Sequence, residues 1–309
     1  MDILTTENLS KSYKGVLAVD GVNMHIEQGD VYGFVGENGA GKTTVIRLIA
    51  GLAAPTSGSF SLFGIDSESP EIGNARKKMG CIVEAVSLNR GMTALENLRL
   101  QCMITDTKKT DEELCELISR VGLNPDEVKD KKAGNFSLGM RQRLGIAMVM
   151  VSSPEFVVLD EPMNGLDPSG FVEVRETILS LNRQGVTFLV SSHILSELDK
   201  VCTKIGVISK GKLLREMSVE ELHGNAGIRT IVQLASEEDA NKLLRQLSQN
   251  DMNYTPELSG STLVLKGDGD LNSLIQTISW QGISVKKINV LEDTIEDFYM
   301  SIIKGEESK

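Results

Sequence analysis

The most constraining feature of the chain is a glycine-rich segment between a short apolar run and an apolar helical pattern. Val31–Val35 is continuously apolar, which is typical of a strand buried on both faces. Residues 45–49 place apolar side chains on one side of a helix. The nine residues in between match G-x-x-x-x-G-K-[ST], and this strand–turn–helix unit predicts an α/β fold with parallel strands. This glycine loop consists of Gly36, Glu37, Asn38, Gly39, Ala40, Gly41, Lys42, Thr43 and Thr44.

The residue types in the glycine loop suit phosphate. Glycines allow backbone N–H groups to converge on phosphate oxygens, and the following helix start adds its positive dipole end. We predict that Lys42 contacts the β- and γ-phosphates of a nucleotide and that the Thr43 hydroxyl binds Mg²⁺. The alternative is a glycine-rich turn that happens to contain a lysine, and the strand before it and the helix after it argue against that.

Polar residues also follow two other apolar strands. Asp160 and Glu161 close the run Phe156–Leu159, and His193 follows the next run. Ligands bind at the carboxyl ends of parallel strands, so these side chains should lie beside the glycine loop. Asp160 is predicted to hold hydrated Mg²⁺ and Glu161 to act as the general base on water. His193 is predicted to reach the γ-phosphate or that water. The alternative for all three is a solvated strand end.

Composition excludes several classes of protein. The 32 basic and 43 acidic residues give a net charge of −11 without a basic stretch, so no nucleic acid partner is predicted. The longest apolar run, Leu144–Val151, is far shorter than the roughly 20 residues of a spanning helix. The polar amino terminus has no signal-peptide pattern, and four isolated cysteines suit a reducing compartment. We therefore expect a cytoplasmic protein.

The sequence pattern changes near residue 218, which predicts two domains, residues 1–222 and residues 228–309. The second has the order βαββαβα, which resembles a ferredoxin-like fold in the α+β class. Its 8 basic and 13 acidic residues include no metal-ligand cluster, which favours a packing or dimer-supporting module over a regulatory ligand site. The predicted elements are strands at 228–234, 253–258, 262–267 and 283–290, helices at 237–249 and 270–281, and a last helix with Ile295, Phe298, Ile302 and Ile303 on one face.

Residues 2–222 together resemble the ATP-binding subunit of an ATP-binding-cassette (ABC) transporter. Besides the glycine loop, Asp160, Glu161 and His193, the chain has Phe136-Ser137-Leu138-Gly139-Met140, which is similar to the family's signature Leu-Ser-Gly-Gly-Gln, and Asn164-Gly165-Leu166-Asp167, which is similar to its dimer-contact loop. The resemblance implies a mixed sheet with a helical subdomain. It also implies that Tyr13 stacks on adenine, and that Ser137 and Gly139 contact the nucleotide of a partner cassette.

The resemblance further implies an ATPase that uses ATP and Mg²⁺, and whose head-to-tail dimer closes on ATP. The pair would be a homodimer or this chain with a paralogue. It would drive an integral-membrane permease on a separate chain, so that the protein is peripheral on the inner face of the cell membrane. The alternatives are a non-transport ABC ATPase or regulator acting on a soluble or ribosomal partner, and a sensor that binds ATP without turnover.

Two departures from the family pattern are informative. The signature lacks glycine at its third position and glutamine at its fifth, and Glu84 stands where the family has a glutamine that faces Mg²⁺. A glutamate keeps the oxygen ligand but loses the amide donor and adds charge. It is either a conservative change or a retuned coupling loop. These features and the C-terminal domain are similar to the bacitracin-resistance and lantibiotic-immunity branch, which implies export or detoxification of an antimicrobial peptide.

A surface for the permease is also implied. In the family, a permease helix docks beside the loop that begins at Glu84 here and extends to about Leu98. Apolar residues suit such a contact. The alternative is that they belong to the core of the domain, above all Leu95. The four residues concerned are Val86, Leu88, Met92 and Leu95.

Overall fold

The computed structural model describes residues 1–193, 195–224, 228–249, 253–267 and 269–292, together with positions 300 and 302. The chain divides into two compact units, Met1–Val219 and Glu220–Lys309. Residues 223–224 end a short helix, and residues 225–227 of the predicted linker lie outside the described residues. No helix within the described ranges is long and apolar enough to span a bilayer.

The strands, in chain order, are β1 (Asp2–Tyr13), β2 (Val16–Val22), β3 (His25–Glu27), β4 (Val31–Val35), β5 (Ser57–Leu62), β6 (Ile65–Asp66), β7 (Met79–Ile82), β8 (Phe156–Asp160), β9 (Thr187–Ser192), β10 (Lys204–Ser209), β11 (Lys212–Ser218), β12 (Ile228–Leu234), β13 (Thr255–Ser259), β14 (Thr262–Lys266) and β15 (Val285–Glu292).

The helices are α1 (Lys42–Ile49), α2 (Ile72–Lys77), α3 (Ala94–Ile104), α4 (Asp111–Arg120), α5 (Pro125–Val128), α6 (Leu138–Met150), α7 (Pro168–Asn182), α8 (Leu195–Leu198), α9 (Val219–Gly224), α10 (Glu237–Gln249) and α11 (Leu271–Trp280), and a short 3₁₀ turn covers Ala133–Asn135.

A six-stranded sheet forms the centre of the first unit, in the order β11-β10-β4-β9-β8-β7. All neighbouring strands are parallel except β11, which is antiparallel to β10. Every residue of β4, β8 and β9 is buried, as expected for strands covered on both faces. Because these strands are parallel, the residues after Val35, Asp160 and Ser192 lie at the same edge of the sheet.

A second, antiparallel sheet lies in the same unit. Its strands have the order β2-β1-β5-β6, and β3 pairs with β1. Its apolar side chains and those of α1 form one core with residues of β4 and β8, including Leu4, Val45, Phe34 and Phe156. The mixed architecture predicted for this part of the chain is therefore confirmed.

The helices α3 to α6 lie between β7 and β8 in the chain and begin at well-defined caps. Thr93 and Thr110 each form a complete capping box with the glutamate three residues later. Ser137 caps α6 by accepting a hydrogen bond from the Met140 N–H at 3.1 Å.

The second unit is a four-stranded antiparallel sheet in the order β13-β14-β12-β15. The helices α10 and α11 pack on it through a core that includes Val232, Leu243, Leu265 and Leu274. The order βαββαβ, with β12 between β14 and β15, is that of a split βαβ fold, so the ferredoxin-like arrangement is the one observed. Of the predicted last helix, Ile295, Phe298 and Ile303 lie outside the described residues.

Candidate active site

The glycine loop connects β4 to α1 and depends on glycine at three positions. Gly39 and Gly41 have positive φ angles of 82° and 110°, which side chains rarely adopt. A Cβ atom on Gly36 would lie 2.3 Å from the carbonyl oxygen of Ile208, so only glycine fits there. The loop therefore holds a tight turn at the carboxyl edge of the sheet, with the first turn of α1 directly after it.

Lys42 is the first residue of α1, and it is buried, with 5% of its surface exposed. Its ammonium group donates hydrogen bonds across the loop to the carbonyl oxygens of Gly36 (2.5 Å) and Glu37 (3.2 Å). Its Nζ also lies 3.2 Å from Glu161 Oε1. A buried cation thus stands inside the loop with a carboxylate next to it, as a buried charge requires.

Asp160 ends β8 and is also buried. Its Oδ2 accepts a hydrogen bond from the Thr43 hydroxyl at 2.9 Å, and its Oδ1 accepts one from the Ser191 hydroxyl at 2.6 Å. Ser191 is the residue of β9 that pairs with Asp160 in the parallel register. The hydroxyl groups of two separate elements therefore hold the carboxylate in one orientation.

Glu161 has a positive φ of 49°, a strained conformation for a residue other than glycine. Its N–H donates to Ser191 Oγ at 2.9 Å, and its Oε2 lies 2.8 Å from His193 Nδ1. Its Oε1 is buried and accepts no hydrogen bond from the described residues. The carboxylate therefore lies between two partners, with Oε1 in an ion pair with Lys42 and Oε2 beside the His193 ring.

A cavity of about 180 Å³ adjoins these groups. The oxygens of Thr43 and Asp160 that meet at 2.9 Å are the hard ligands that Mg²⁺ prefers, so the residues present fit this ion. The cavity is lined by Ala18, Glu37, Asn38, Gly39, Gly41, Lys42, Thr43, Thr44 and Glu161.

Glu84 lies in the loop after β7, with a positive φ of 64°, and its carboxylate forms an exposed ion pair with Arg47 of α1. It lines a second cavity of about 280 Å³ that Glu161 also lines, together with Leu88, Leu138 and Arg141 among others. Glu84 therefore lies near the general-base candidate but has Arg47 as its partner.

An apolar groove of about 490 Å³ shares Ala85 and Val86 with the second cavity. Of the four apolar residues predicted for a permease contact, Val86 lines the groove and Leu88 lines the second cavity instead. Met92 and Leu95 are half-buried and line neither the groove nor the second cavity. Leu95 is part of α3, which begins at Ala94. The residues lining the groove are Ala50, Leu52, Arg76, Met79, Cys81, Ile82, Val83, Ala85, Val86, Ser87, Gln101, Gly145, Met148 and Val149.

The signature segment lies at the start of α6 and is close to the start of α7. A Cβ atom on Gly139 would lie 3.4 Å from Gly170 Cα, so the two helix ends pack closely. Asp167 caps α7 by accepting the Gly170 N–H at 2.9 Å. Leu138 replaces the usual glycine and is partly exposed, at 37% of its surface.

Tyr13 is at the end of β1, in a hairpin with β2, and is 42% exposed. The Lys11 ammonium lies 5.1 Å from the centre of its ring. Tyr13 does not line the cavity at the glycine loop, whereas Ala18 of the same hairpin does. The ring is therefore partly exposed to solvent and has a cation near its face.

Sequence reasoning missed three residues. Ser191 bridges Asp160 and Glu161, and a polar residue at the end of a buried strand beside β8 was a usable signal for it. Arg47 pairs with Glu84, and Arg143 joins α6 to Gly122 O (2.6 Å) and to Glu173 Oε2 (2.8 Å). No local pattern reveals either arginine's partner, because each contact joins elements that are distant in the chain.

The fold and the site define an ATP-binding cassette, and comparisons with known proteins agree. Residues 19–164 match the family model that is described as "ABC transporter". The chain is 39% identical over 306 residues to the bacitracin transport ATP-binding protein BcrA of Bacillus licheniformis, covering 98% of each chain. It is 38% identical over 229 residues to the lantibiotic transport ATP-binding protein SrtF of Streptococcus pyogenes, covering 72% of this chain and 96% of that one.

The chain therefore belongs to the ABC transporter ATP-binding proteins, in the branch that includes these two relatives. Among solved structures, it is 25% identical to the ADP conformation of MJ1267, an ATP-binding cassette of an ABC transporter. The TM-score is 0.65, with 73% of this chain and 96% of that one covered. Its activity is ATP hydrolysis coupled to transport, and the comparisons give no support to the non-transport alternative.

Proposed function

We propose that this chain powers export of a bacitracin-like or lantibiotic peptide and so protects the cell against that peptide. The observation that carries the proposal is the match to BcrA. An alignment that spans 98% of both chains must include the C-terminal unit as well as the cassette. The match to SrtF extends over 72% of this chain, so it leaves part of the chain without a counterpart. The full-length likeness favours a bacitracin-like peptide over a lantibiotic.

The proposed catalytic roles follow from the contacts of each side chain. Glu161 is the general base, because its side chain lines the cavity at the glycine loop and its Oε1 is in an ion pair with Lys42 that phosphate would replace. His193 holds the other oxygen and orients it towards water and the γ-phosphate. Lys42 exchanges its carbonyl partners in the loop for the β- and γ-phosphates of ATP. The N–H groups of residues 36–44 bind the remaining phosphate oxygens.

Mg²⁺ would be held by Thr43 and Asp160, with Glu84 as the third residue that faces it. The ion would neutralise charge that develops on the β- and γ-phosphate oxygens. Ser191 keeps the Asp160 carboxylate in the orientation that presents its other oxygen to Thr43. The role of this chain is thus to hold the oxygens in place before ATP arrives.

ATP-binding subunits of ABC transporters work in pairs, and we propose a head-to-tail pair for this chain. Ser137 and Gly139 would contact the nucleotide held by the partner's glycine loop, and Tyr13 would stack on the adenine in its own subunit. Leu138 is exposed and stands at the position where the family has glycine, so we expect a weaker backbone contact with the partner's nucleotide at this position. The partner would be a second copy of this chain or a paralogue.

The permease is proposed to be a separate integral-membrane chain with a cytoplasmic helix in the apolar groove. The groove combines apolar residues such as Val86 and Met148 with the polar residues Arg76 and Gln101, a composition that suits an amphipathic helix. This chain would then be cytoplasmic and peripheral at the inner membrane face. We propose residues 1–222 as the catalytic domain and residues 228–309 as a packing domain.

The substrate proposal is tested by resistance. A strain that lacks this gene receives the wild type, Glu161→Gln, or the matched control Glu155→Gln, which changes an exposed glutamate at the other end of β8. We expect wild type and Glu155→Gln to restore growth in bacitracin and Glu161→Gln to fail. If the strain with the gene and the strain without it grow equally well in bacitracin and in a lantibiotic, the proposed substrates are excluded.

The permease proposal is tested by co-purification. The Glu161→Gln chain is tagged, the membranes are solubilised in mild detergent, and the recovered proteins are identified. We expect one polytopic membrane protein, and its recovery should fall when Val86→Asp places a charge in the groove. Recovery of soluble partners or ribosomes alone would contradict the transporter role.

A further inference from the structure

Glu84 has a partner that a glutamine at this position would bind less strongly. Its carboxylate forms an ion pair with the guanidinium of Arg47, whereas an uncharged amide forms only a neutral–charged hydrogen bond. Both side chains are partly exposed, at 61% for Glu84 and 40% for Arg47. An exposed ion pair is weak, so another cation is able to displace it.

Arg47 stands one helical turn from a proposed metal ligand. Arg47 and Thr43 are four residues apart in α1, so they share one face of the helix, with about 5–6 Å between their Cβ atoms. The Thr43 hydroxyl is bonded to Asp160, which places the Mg²⁺ oxygens at the start of that same face. Arg47 and the metal ligands are therefore separated by about one helical turn, 5.4 Å. The Glu84 carboxylate would move about this distance to exchange one partner for the other.

We propose that Arg47 is a positioning residue that competes with Mg²⁺ for the Glu84 carboxylate. The inference rests on the proposed role of Glu84 as a residue that faces the metal. Two cations repel each other, so the carboxylate pairs either with the guanidinium or with the ion, and Mg²⁺ loading releases it from α1. The loop therefore has two anchored positions, one with Glu84 paired with Arg47 and one with Glu84 facing Mg²⁺. Without Arg47, Glu84 would have no ion-pair partner among the described residues in the absence of the ion.

The loop carries this exchange to the apolar groove. Ala85 and Val86 follow Glu84 directly, and both line the groove as well as the second cavity beside Glu161. The backbone of Glu84 is in the left-handed region, which side chains rarely adopt, and we expect a new partner for its carboxylate to alter the path of the next residues. Arg47 thereby sets how much Mg²⁺ is needed before the groove changes shape.

The test uses the full chain with Glu161→Gln, so that binding is measured without turnover. ATP affinity is determined by calorimetry over a series of free Mg²⁺ concentrations for Arg47→Met, Glu84→Gln and the double variant. Arg99→Met is the matched control, because Arg99 forms a similarly exposed ion pair with Asp111. Amide exchange of residues 84–87 is followed in the same samples and gives a readout of the loop itself.

We expect Arg47→Met to lower the Mg²⁺ concentration for half-maximal ATP binding by about two- to fivefold, the strength of an exposed ion pair. It should also speed exchange of residues 84–87 in EDTA. Arg47→Met should have no effect once Glu84 is Gln, and Arg99→Met should have none in either background. An unchanged Mg²⁺ dependence, or an equal shift with and without Glu84, would overturn the proposal. If the chain with Glu161→Gln alone shows no Mg²⁺-dependent ATP binding, the proposed function itself is rejected.

Discussion

The carboxyl edge of the central sheet and the C-terminal split βαβ unit differ in what they bury. The edge buries Lys42, Asp160 and Ser191, and Glu161 is held there with a positive φ. Of the described residues in the C-terminal unit, the polar side chains that are buried are Thr230 and Thr277. Buried charge is expensive unless it is paired, so a chain retains it where chemistry needs it. The first region thus holds buried charged groups that a reaction requires, whereas the described residues of the second bury mainly apolar side chains.

The largest expected effect is at the edge. Glu161→Gln should lower the ATPase rate by about 10²–10⁴-fold, because an amide cannot accept the proton of the attacking water. ATP affinity should be retained, since Lys42 and the glycine loop are unchanged. Turnover is measured by phosphate release and affinity by calorimetry, with Glu155→Gln as the control. Wild-type turnover in Glu161→Gln would place the general base elsewhere and remove the main difference between the two regions.

The next prediction concerns the apolar core of the C-terminal unit. Leu243 is fully buried in this core, and Leu243→Ala should lower the opening free energy of the unit by about 2–5 kcal/mol. The measurement is amide exchange of Leu263 and Leu265 in β14. Leu258→Ala, at a site that is 39% exposed, should have a much smaller effect. ATP hydrolysis should be unchanged in both variants, and a parallel loss of hydrolysis would show that the two regions are not separate in function.

The sequence was sufficient for much of both regions because their local signals are strong. β12 and α10 have the predicted limits 228–234 and 237–249, and the capping boxes at Thr93 and Thr110 join residues only three apart in the chain. These features depend on neighbours along the chain. The glycine loop belongs to the same class, because φ preference and phosphate geometry act within nine residues.

The contacts within the site were less predictable because they depend on strand order. β9 lies between β4 and β8, although it follows β8 in the chain, and this order places Ser191 beside Asp160. The ion pairs of Lys42 with Glu161 and of Arg47 with Glu84 also join distant elements. Residue types and spacing indicate which side chains reach the edge, and the three-dimensional arrangement determines which ones meet.

A third prediction separates binding from turnover at the edge. Lys42→Ala should weaken ATP binding by about 10- to 150-fold, since hydrogen bonds to charged groups contribute about 1.5–3 kcal/mol. Lys212→Ala is the control, because Lys212 is exposed and pairs with Asp20. Both affinities are measured by calorimetry. Intact affinity in Lys42→Ala would mean that the buried ammonium serves the fold and not the phosphates.

A smaller effect is expected where α6 meets the groove. A Cβ atom on Gly145 would lie 2.4 Å from Val86 Cγ1, so Gly145→Ala should lower the free energy of unfolding of the first unit by about 1 kcal/mol. Adding Val86→Ala should restore most of it. Gly73→Ala is the control, since its Cβ would meet nothing within 4 Å. Denaturant titration measures all four proteins, and a failure of Val86→Ala to restore stability would show that the close contact is not the cause.

The smallest effect, and the finest test of the edge, concerns Cys81. Burial raises the pKa of this β7 thiol to about 12, and the neighbouring Asp160 charge contributes to the rise. The thiolate is the reactive form, so at pH 8 only about one molecule in 10⁴ is reactive, and alkylation should speed up about tenfold per pH unit until pH 12. Mass spectrometry of the iodoacetamide-treated chain measures the rate, with Cys115 as an internal reference.

Asp160→Asn removes the charge and should lower the pKa of Cys81, so its alkylation at pH 8 should increase relative to Cys115. The increase should be modest, because burial is the larger cause of the shift and remains in the variant. An equal alkylation rate of Cys81 in the wild type and in Asp160→Asn would show that the Asp160 charge does not affect the thiol. Its influence would then be limited to its hydrogen-bond partners Thr43 and Ser191. The electrostatic character that distinguishes this edge from the C-terminal unit would then be confined to its own side chains and would not extend to the wall of the groove.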